Sequence, residues 1–304
     1  MVRAWVCHRA PGYALAFTWL LGICSAPFAA QQVPKARPTP APRQLILPPK
    51  LVAGAQATLA VLDGLGRLLS NIEVEIPGGQ KVTTDATGRA RFVAPGQPGV
   101  LMAKIDASAV SASAEIVPSG DSSAQVVPAS ATTGARLVSY PRALAIHDRF
   151  NLEGSGFRAA ADSNHVFLNG DPCLVVASSP VALVVLPGPH VPVGDVTLHV
   201  VSGGVDAGQF PVSAVLLEFS GPSEAVSAGS TGKLILRARG TSKPLLVEVR
   251  NGSPGIIQFS NGNVQRLKTS GGQENIAPVE MKFVNGGNYS VTARLVATQG
   301  RQGR

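Results

Sequence analysis

The run Ile72-Glu73-Val74-Glu75-Ile76 alternates apolar and charged residues without a break. Successive side chains of a β-strand point to opposite faces, so Ile72, Val74 and Ile76 fall on one face and both glutamates on the other. This predicts a half-buried strand with one side against a core. Outward from it, Gly78-Gly79 turns the chain and Lys81-Val82-Thr83-Thr84 runs extended. Asp85-Ala86-Thr87-Gly88 then turns it into Arg89-Ala90-Arg91-Phe92-Val93-Ala94. Upstream, Thr58-Leu59-Ala60-Val61-Leu62 leads into the turn Asp63-Gly64-Leu65-Gly66. Short apolar-alternating runs between Asp, Asn and Gly turns continue through the chain. They set the expected fold class, all-β.

Composition agrees with that reading. Charged residues are 14% of the 304, against about 25% in an average globular protein. The 33 glycines and 24 prolines exceed the usual share without reaching that of a disordered chain. An apolar content of 45% is enough to build cores, and Val-rich, Ser/Thr-rich segments favour strands.

The net charge of +8 is carried by the ends. Arg3, Arg9, Lys35, Arg37, Arg43, Lys50, Arg301 and Arg304 account for all of it, and residues 51–300 hold 18 charges of each sign. A nucleic-acid-binding core would concentrate Lys and Arg on a folded face to neutralise phosphates. A neutral body excludes that class, and no nucleic-acid partner is expected.

Residues 1–30 read as a signal peptide. Arg3, His8 and Arg9 form a basic start, and an apolar stretch from Tyr13 to Cys24 follows. Small residues around Ala26, Ala29 and Ala30 then mark a cleavage site. The apolar stretch is shorter than the roughly 20 residues a spanning helix needs, so no membrane span is expected after cleavage. Ile23 before Cys24 argues against a lipoprotein site. Residues 31–50 carry six prolines among their basic residues, a Pro-rich tether of polyproline II character whose charges could meet an anionic envelope surface. Cleavage removes Cys7 and Cys24, so Cys173 remains alone and no intramolecular disulfide forms. The domains must rely on their cores.

Three modules follow. The first reads from Gln44 onward, with its domain placed at 51–117. Its two turns, Asp63-Gly64-Leu65-Gly66 and Asp85-Ala86-Thr87-Gly88, with Arg89-Ala90-Arg91-Phe92 after the second, resemble bacterial Ig-like and carboxypeptidase-regulatory-like sandwiches. A Ser/Ala/Pro-rich linker is expected over 118–134. The second module, 135–217, contains Gly154-Ser155-Gly156-Phe157, the hairpin Asn169-Gly170, Ser178-Ser179-Pro180 and the strand Gly194-Asp195-Val196-Thr197-Leu198-His199-Val200. It resembles the IPT/TIG family of Ig-like domains, departing from it at His147-Asp148-Arg149, where the family is small and Gly-rich. The resemblance implies spacers, adhesion modules or enzyme appendages, and carries no catalytic residue across. The third module, 218–297, alternates in Lys233–Arg239, Leu245–Arg250 and Ser290–Leu295 and matches no family we recognise; residues 298–304 form a tail. The third module is basic, with nine Lys and Arg to four acids once Glu218 is counted with the second. Such polarity favours a head-to-tail or anionic contact.

Polar loops of the third module are the candidate ligand or partner surface: Asn251, Ser253, Asn261, Asn263, Thr269, Ser270, Gln273 and Asn275. Asn-Gly and Gly-Gly steps also serve as plain turns. Both tryptophans, Trp5 and Trp19, leave with the signal, which removes the rings that sugar platforms usually offer. No catalytic, cofactor-binding or metal motif emerges. His147, His165, His190 and His199 lack zinc spacing, and Gly229-Ser230-Thr231-Gly232-Lys233 fails as a phosphate loop because Ser227 and Leu234 stand at required positions. An enzyme would need His147, Asp148, His165 or Cys173 in one cleft. Asn251-Gly252-Ser253 and Asn288-Tyr289-Ser290 match glycosylation acceptors in a glycosylating host.

The expectation is therefore an exported, non-catalytic bacterial protein of three tandem Ig-like sandwiches, in the periplasm, at the cell surface or outside the cell. It acts as an envelope scaffold or adhesion module with a protein or cell-envelope polymer as partner. The alternative is a glycan- or envelope-polymer-binding protein using the third module's loops.

Overall fold

The computed structural model describes residues 2–5, 43–105, 110–119, 134–221, 227–296 and 299–301. Most of the expected signal peptide and tether, and most of the 118–134 linker, lie outside the described residues. Among those described, the chain is almost entirely β-strand, with one short 3₁₀ turn at Ala161–Ser163. It forms three Ig-like β-sandwiches, each with its own apolar core.

In the first sandwich, one sheet runs in the order Lys50–Val52, Ser111–Val117, Gly99–Ile105, Glu73–Ile76, Gln80–Thr83; Gln44–Ile46, Gln56–Leu62 and Arg89–Val93 form the facing layer. The 72–76 alternation does what its period requires: Val74 and Ile76 are buried, Glu75 is exposed and Ile72 packs at the core margin. Both aspartate turns are closed by their own side chains. Asp63 Oδ1 accepts the Leu65 and Arg67 amides at 2.8 and 2.9 Å, and Asp85 Oδ1 accepts the Thr87 amide at 2.8 Å. Gly88 sits at φ +72°, where a Cβ would fall 2.6 Å from Leu68 Cβ, so glycine is required by both angle and space. The tether ends earlier than expected. Leu45, Ile46 and Leu47 are buried and Gln44–Ile46 pairs with Gln56–Leu62, because a Leu-Ile-Leu run buries as a strand despite the prolines around it.

The second sandwich is built around Asp171–Ser179, which pairs with Asn164–Leu168 through its first residues and with Ala182–Leu186 through the rest. A bulge between Val175 and Ala177 lets this strand pass from one sheet to the other. The Asn169-Gly170 hairpin has φ +51° and +88°, the double positive φ of a type I′ turn. The segment His147-Asp148-Arg149 makes a turn after Ala143–Ala145, which runs parallel to residues 213–215.

The third sandwich pairs Ile257–Phe259, Ile276–Phe283, Thr231–Arg239 and the end of Val205–Ser220 in one sheet. Its second sheet runs Val2–Trp5, Ser290–Leu295, Leu246–Asn251, Val264–Lys268. Ile276–Phe283 alternates buried and exposed residues as clearly as the strands read from sequence. No loop marks the expected boundary at 217/218. Val205–Ser220 is one continuous strand that pairs with Gly194–Ser202 in the second sandwich and with Thr231–Arg239 in the third.

The first and second sandwiches meet through a buried apolar seam of Ile46, Ala60, Leu62, Val176, Ala177 and Val184. Arg89 crosses it, 7% exposed, donating to the Val175 carbonyl at 2.8 Å and pairing with Asp162 at 2.6 Å. Thr58 and Ser178 hydroxyls both donate to the Ala159 carbonyl at 2.6 Å, and Ser179 Oγ donates to the Lys50 carbonyl at 2.7 Å.

Candidate functional site

The three sandwiches enclose a cleft of about 480 Å³. The first contributes Leu45 and Leu47, the second Asp148, Arg149 and Phe150, and the third Glu248, Arg266 and Arg294. The cationic side arises from strand register. Glu248 on Leu246–Asn251 stands directly between Arg266 on Val264–Lys268 and Arg294 on Ser290–Leu295. Neighbouring strands lie about 4.8 Å apart, so directly opposed side chains on one face meet as cross-strand pairs. Arg250, two residues along, shares this face because the strand period is two.

Glu248 Oε1 receives Arg250 at 2.8 Å and Arg294 at 2.9 Å, and Oε2 receives Arg266 at 3.4 Å. Hydrogen bonding from Arg250 is the leading influence that holds the Glu248 carboxyl below the ordinary glutamate range, with the charges of Arg294 and Arg250 acting the same way against desolvation. Glu248 is 4% exposed, while its three arginine partners remain about half exposed or more. Three guanidiniums around one carboxylate leave a surplus of two positive charges. Across the cleft Arg149 donates to Gln44 Oε1 at 3.0 Å; burial lowers its pKa, opposed by the adjacent Asp148 charge, and it stays protonated. Guanidinium edges in a concave, partly apolar setting recognise carboxylate or phosphate in the bidentate manner that lysines do not.

The polar loops read from sequence fall into two groups at opposite ends of the same sheet. Asn251, Ser253, Asn261 and Asn263 lie at one end. Thr269, Ser270, Gln273 and Asn275 lie at the other, separated by the Val264–Lys268 strand, roughly 15 Å at 3.3 Å per residue. Three of them are buried and committed to holding loops. Asn251 Nδ2 donates to the Ile257 carbonyl at 2.6 Å, Thr269 Oγ1 accepts the Leu245 amide at 2.8 Å, and Asn275 Nδ2 donates to the Thr241 and Lys243 carbonyls at 3.0 and 2.8 Å. Ser253 accepts the Ser290 amide at 3.1 Å and Ser270 Oγ donates to the Glu274 carbonyl at 2.8 Å. Asn261, Asn263 and Gln273 are exposed.

Of the residues an enzyme would need, His147 and Asp148 line one groove, and neither His165 nor Cys173 lines it. His165 is exposed, alternating outward from the buried Val166, whereas Cys173 is half-buried against the core and burial pushes its thiol pKa up. The groove of His147 and Asp148 lies beside Leu65 and Pro189, and Asp148 also lines the three-sandwich cleft. His199 stacks on Phe167 at 5.8 Å and meets Asp206 at 3.2 Å. Among the described residues no group of three or more His, Cys, Asp or Glu is placed to hold a metal ion. Among them, too, no helix is long and apolar enough to cross a membrane.

Sequence reading found the basic polarity of the third module but missed the arginine cluster. The signal was present as Glu248-Val249-Arg250 and as Arg266 and Arg294, each on one parity of an alternating strand. Only pairing register turns those scattered positions into one site.

No protein-family model and no curated protein sequence matches the chain. Among solved structures it is similar to a Bacteroides ovatus mixed-linkage glucan utilization locus protein, SGBP-B, in complex with a heptasaccharide, at 10% identity and TM-score 0.25, over 81% of this chain and 74% of that one. It is similar to a Bacteroides uniformis SGBP-B from a xyloglucan utilization locus at 10% identity and TM-score 0.26, over 86% of this chain and 99% of that one. The plexin A4 extracellular region aligns at 10% identity and TM-score 0.32 over 88% of this chain, which spans 33% of its length.

Proposed function

We propose that this protein is an exported, non-catalytic scaffold or adhesion module of the cell envelope or exterior, presenting its three-domain cleft to an anionic group on a protein or envelope polymer. The central sandwich is read as IPT/TIG-like, a spacer that fixes its two neighbours. The observation that carries the proposal is the Arg250, Arg266, Arg294 cluster around Glu248, of which Glu248, Arg266 and Arg294 line the cleft where all three sandwiches converge. In the cleft Arg149, Arg266 and Arg294 outnumber Asp148 and Glu248, and a cationic surplus in a concave site attracts anions more strongly than the same charges on an open surface. The signal peptide and the Pro-rich tether, read from sequence, supply export and reach. The loop residues favour the glycan alternative less, since several are already occupied in holding turns.

Two measurements test this reading. Cell fractionation with N-terminal sequencing should find a mature chain beginning near residue 31 outside the cytoplasm. In pull-downs, mature protein should be retained on carboxylate- or phosphate-bearing envelope polymer and released by salt; Arg266→Glu with Arg294→Glu should abolish retention. Retention unaffected by this double change overturns the cleft, retention on neutral glycan alone restores the loop reading, and substrate turnover by the mature protein overturns the non-catalytic one.

A further inference from the structure

The second sheet of the third sandwich is completed from the far end of the chain. Its Ser290–Leu295 strand pairs on one side with Leu246–Asn251 and on the other with Val2–Trp5, antiparallel, in the register Val2 to Ala293 and Trp5 to Ser290. Among the described residues that follow Leu295, none takes that edge. Gln299–Arg301 instead pairs with residues 139–141 of the second sandwich. The strand that covers the edge belongs to the segment read as a signal peptide, so export that removes residues 1–30 leaves the Ser290–Leu295 edge with unpaired backbone groups.

Such an edge templates strand addition. Val291 and Ala293 are buried toward the core, so an added strand in this register finds an apolar face at alternate positions. Its other face lies on the side of Thr292 and Arg294: Thr292 stands opposite Arg250, and Arg294 stands opposite Glu248 with Arg266 beyond it. Position 3 of the leader, an arginine, pairs with Thr292. The leader thus supplies the edge with backbone pairing but no acidic residue, whereas an added strand with an acidic residue on the face of Thr292 and Arg294 would be drawn to the surplus guanidiniums.

We infer that the Ser290–Leu295 edge is a strand-acceptor site, covered by the leader in the precursor and taken in the mature protein by an extended partner strand that alternates apolar and acidic residues. The backbone pairing is independent of the anion-binding cleft, whereas the acidic preference draws on Arg294 of that cleft. Strand addition survives if polymer retention fails, and fails alone if the edge is not accessible.

The leader offers its own probe, because residues 31–304 contain no tryptophan and a Met1–Arg9 peptide carries Trp5. With protein 31–304 checked for folding by circular dichroism and thermal unfolding, Trp5 anisotropy should rise on titration. An Arg3→Glu peptide should bind several-fold tighter in low salt, and a peptide with Ala4→Pro should bind about tenfold weaker or worse through loss of ladder hydrogen bonds. Arg294→Glu in the protein should erase the preference for the acidic peptide. Calorimetry with full-length chain, whose edge is filled, should register no uptake. Equal binding of the proline peptide, or absence of binding by any peptide to folded protein 31–304, overturns the acceptor site. Equal binding of the unaltered peptide and its Arg3→Glu variant overturns the acidic partner, and sedimentation revealing a dimer of protein 31–304 that the peptide dissolves replaces that partner with a second copy.

Discussion

The two junctions between sandwiches are made by different means. The first and second are joined by side chains brought together from distant sequence, an apolar seam crossed by Arg89, Thr58, Ser178 and Ser179. The second and third are joined by backbone, because Val205–Ser220 belongs to both sheets. A side-chain junction can be dismantled one residue at a time, whereas a shared strand holds as long as its ladders hold. The chain therefore spaces its modules with one junction open to adjustment by mutation and one fixed by covalent continuity.

The comparison can be broken most forcefully at the backbone junction. Gly240 lies at φ +99°, and a Cβ there would sit 2.6 Å from Val193 Cγ1 and 2.9 Å from the Gly194 amide nitrogen. Gly240→Val should cost about 3 kcal/mol or more, from left-handed backbone strain added to overpacking. In thermal unfolding, the second and third sandwiches should melt together and earlier. A Tm unchanged from wild type would mean that the shared strand does not couple them.

At the side-chain junction, Arg89→Met should cost about 1–3 kcal/mol, because the buried Val175 carbonyl loses its donor. Denaturant unfolding should resolve a first transition belonging to the first sandwich alone. Scattering should also report a longer particle. A single, unshifted transition would show that the apolar seam suffices without its polar crossing.

The fold class was legible because strand alternation and turn chemistry are local. Ile72 to Ile76, Asn169-Gly170 and the two aspartate turns each carry their structure in a few consecutive residues. The arginine cleft was not legible, since Arg266 and Arg294 stand 18 and 46 residues from Glu248 and meet it only through register. The polar loops misdirected for a related reason: the side chains of Asn251 and Asn275 look available in sequence and are consumed by backbone carbonyls, that of Ile257 nearby for Asn251 and that of Lys243 in a different loop for Asn275.

A smaller effect is expected from Glu248, whose folded-state pKa lies below its ordinary value. A lowered carboxylate contributes stability that is fully present above the unfolded pKa of about 4.3 and is lost as pH falls through the folded value. Wild type should lose stability on acidification below pH about 4.5 more steeply than Glu248→Gln, which lacks the titrating group. Parallel curves would show that the arginines are held without the carboxylate. The smallest effect belongs to the Lys50–Glu153 pair at the edge of the first junction, 2.9 Å apart and partly exposed. A double-mutant cycle there should give less than about 1 kcal/mol.

An all-β chain of modules, basic at its ends and neutral between, follows from the residues alone, because periodicity, turn residues and charge are properties of neighbouring positions. Tertiary structure decided where the modules join, which polar side chains remain available and that three arginines surround one glutamate. Those outcomes depend on strand register and sheet order, and pairing between residues far apart in sequence is set by the packing of whole faces rather than by any local pattern.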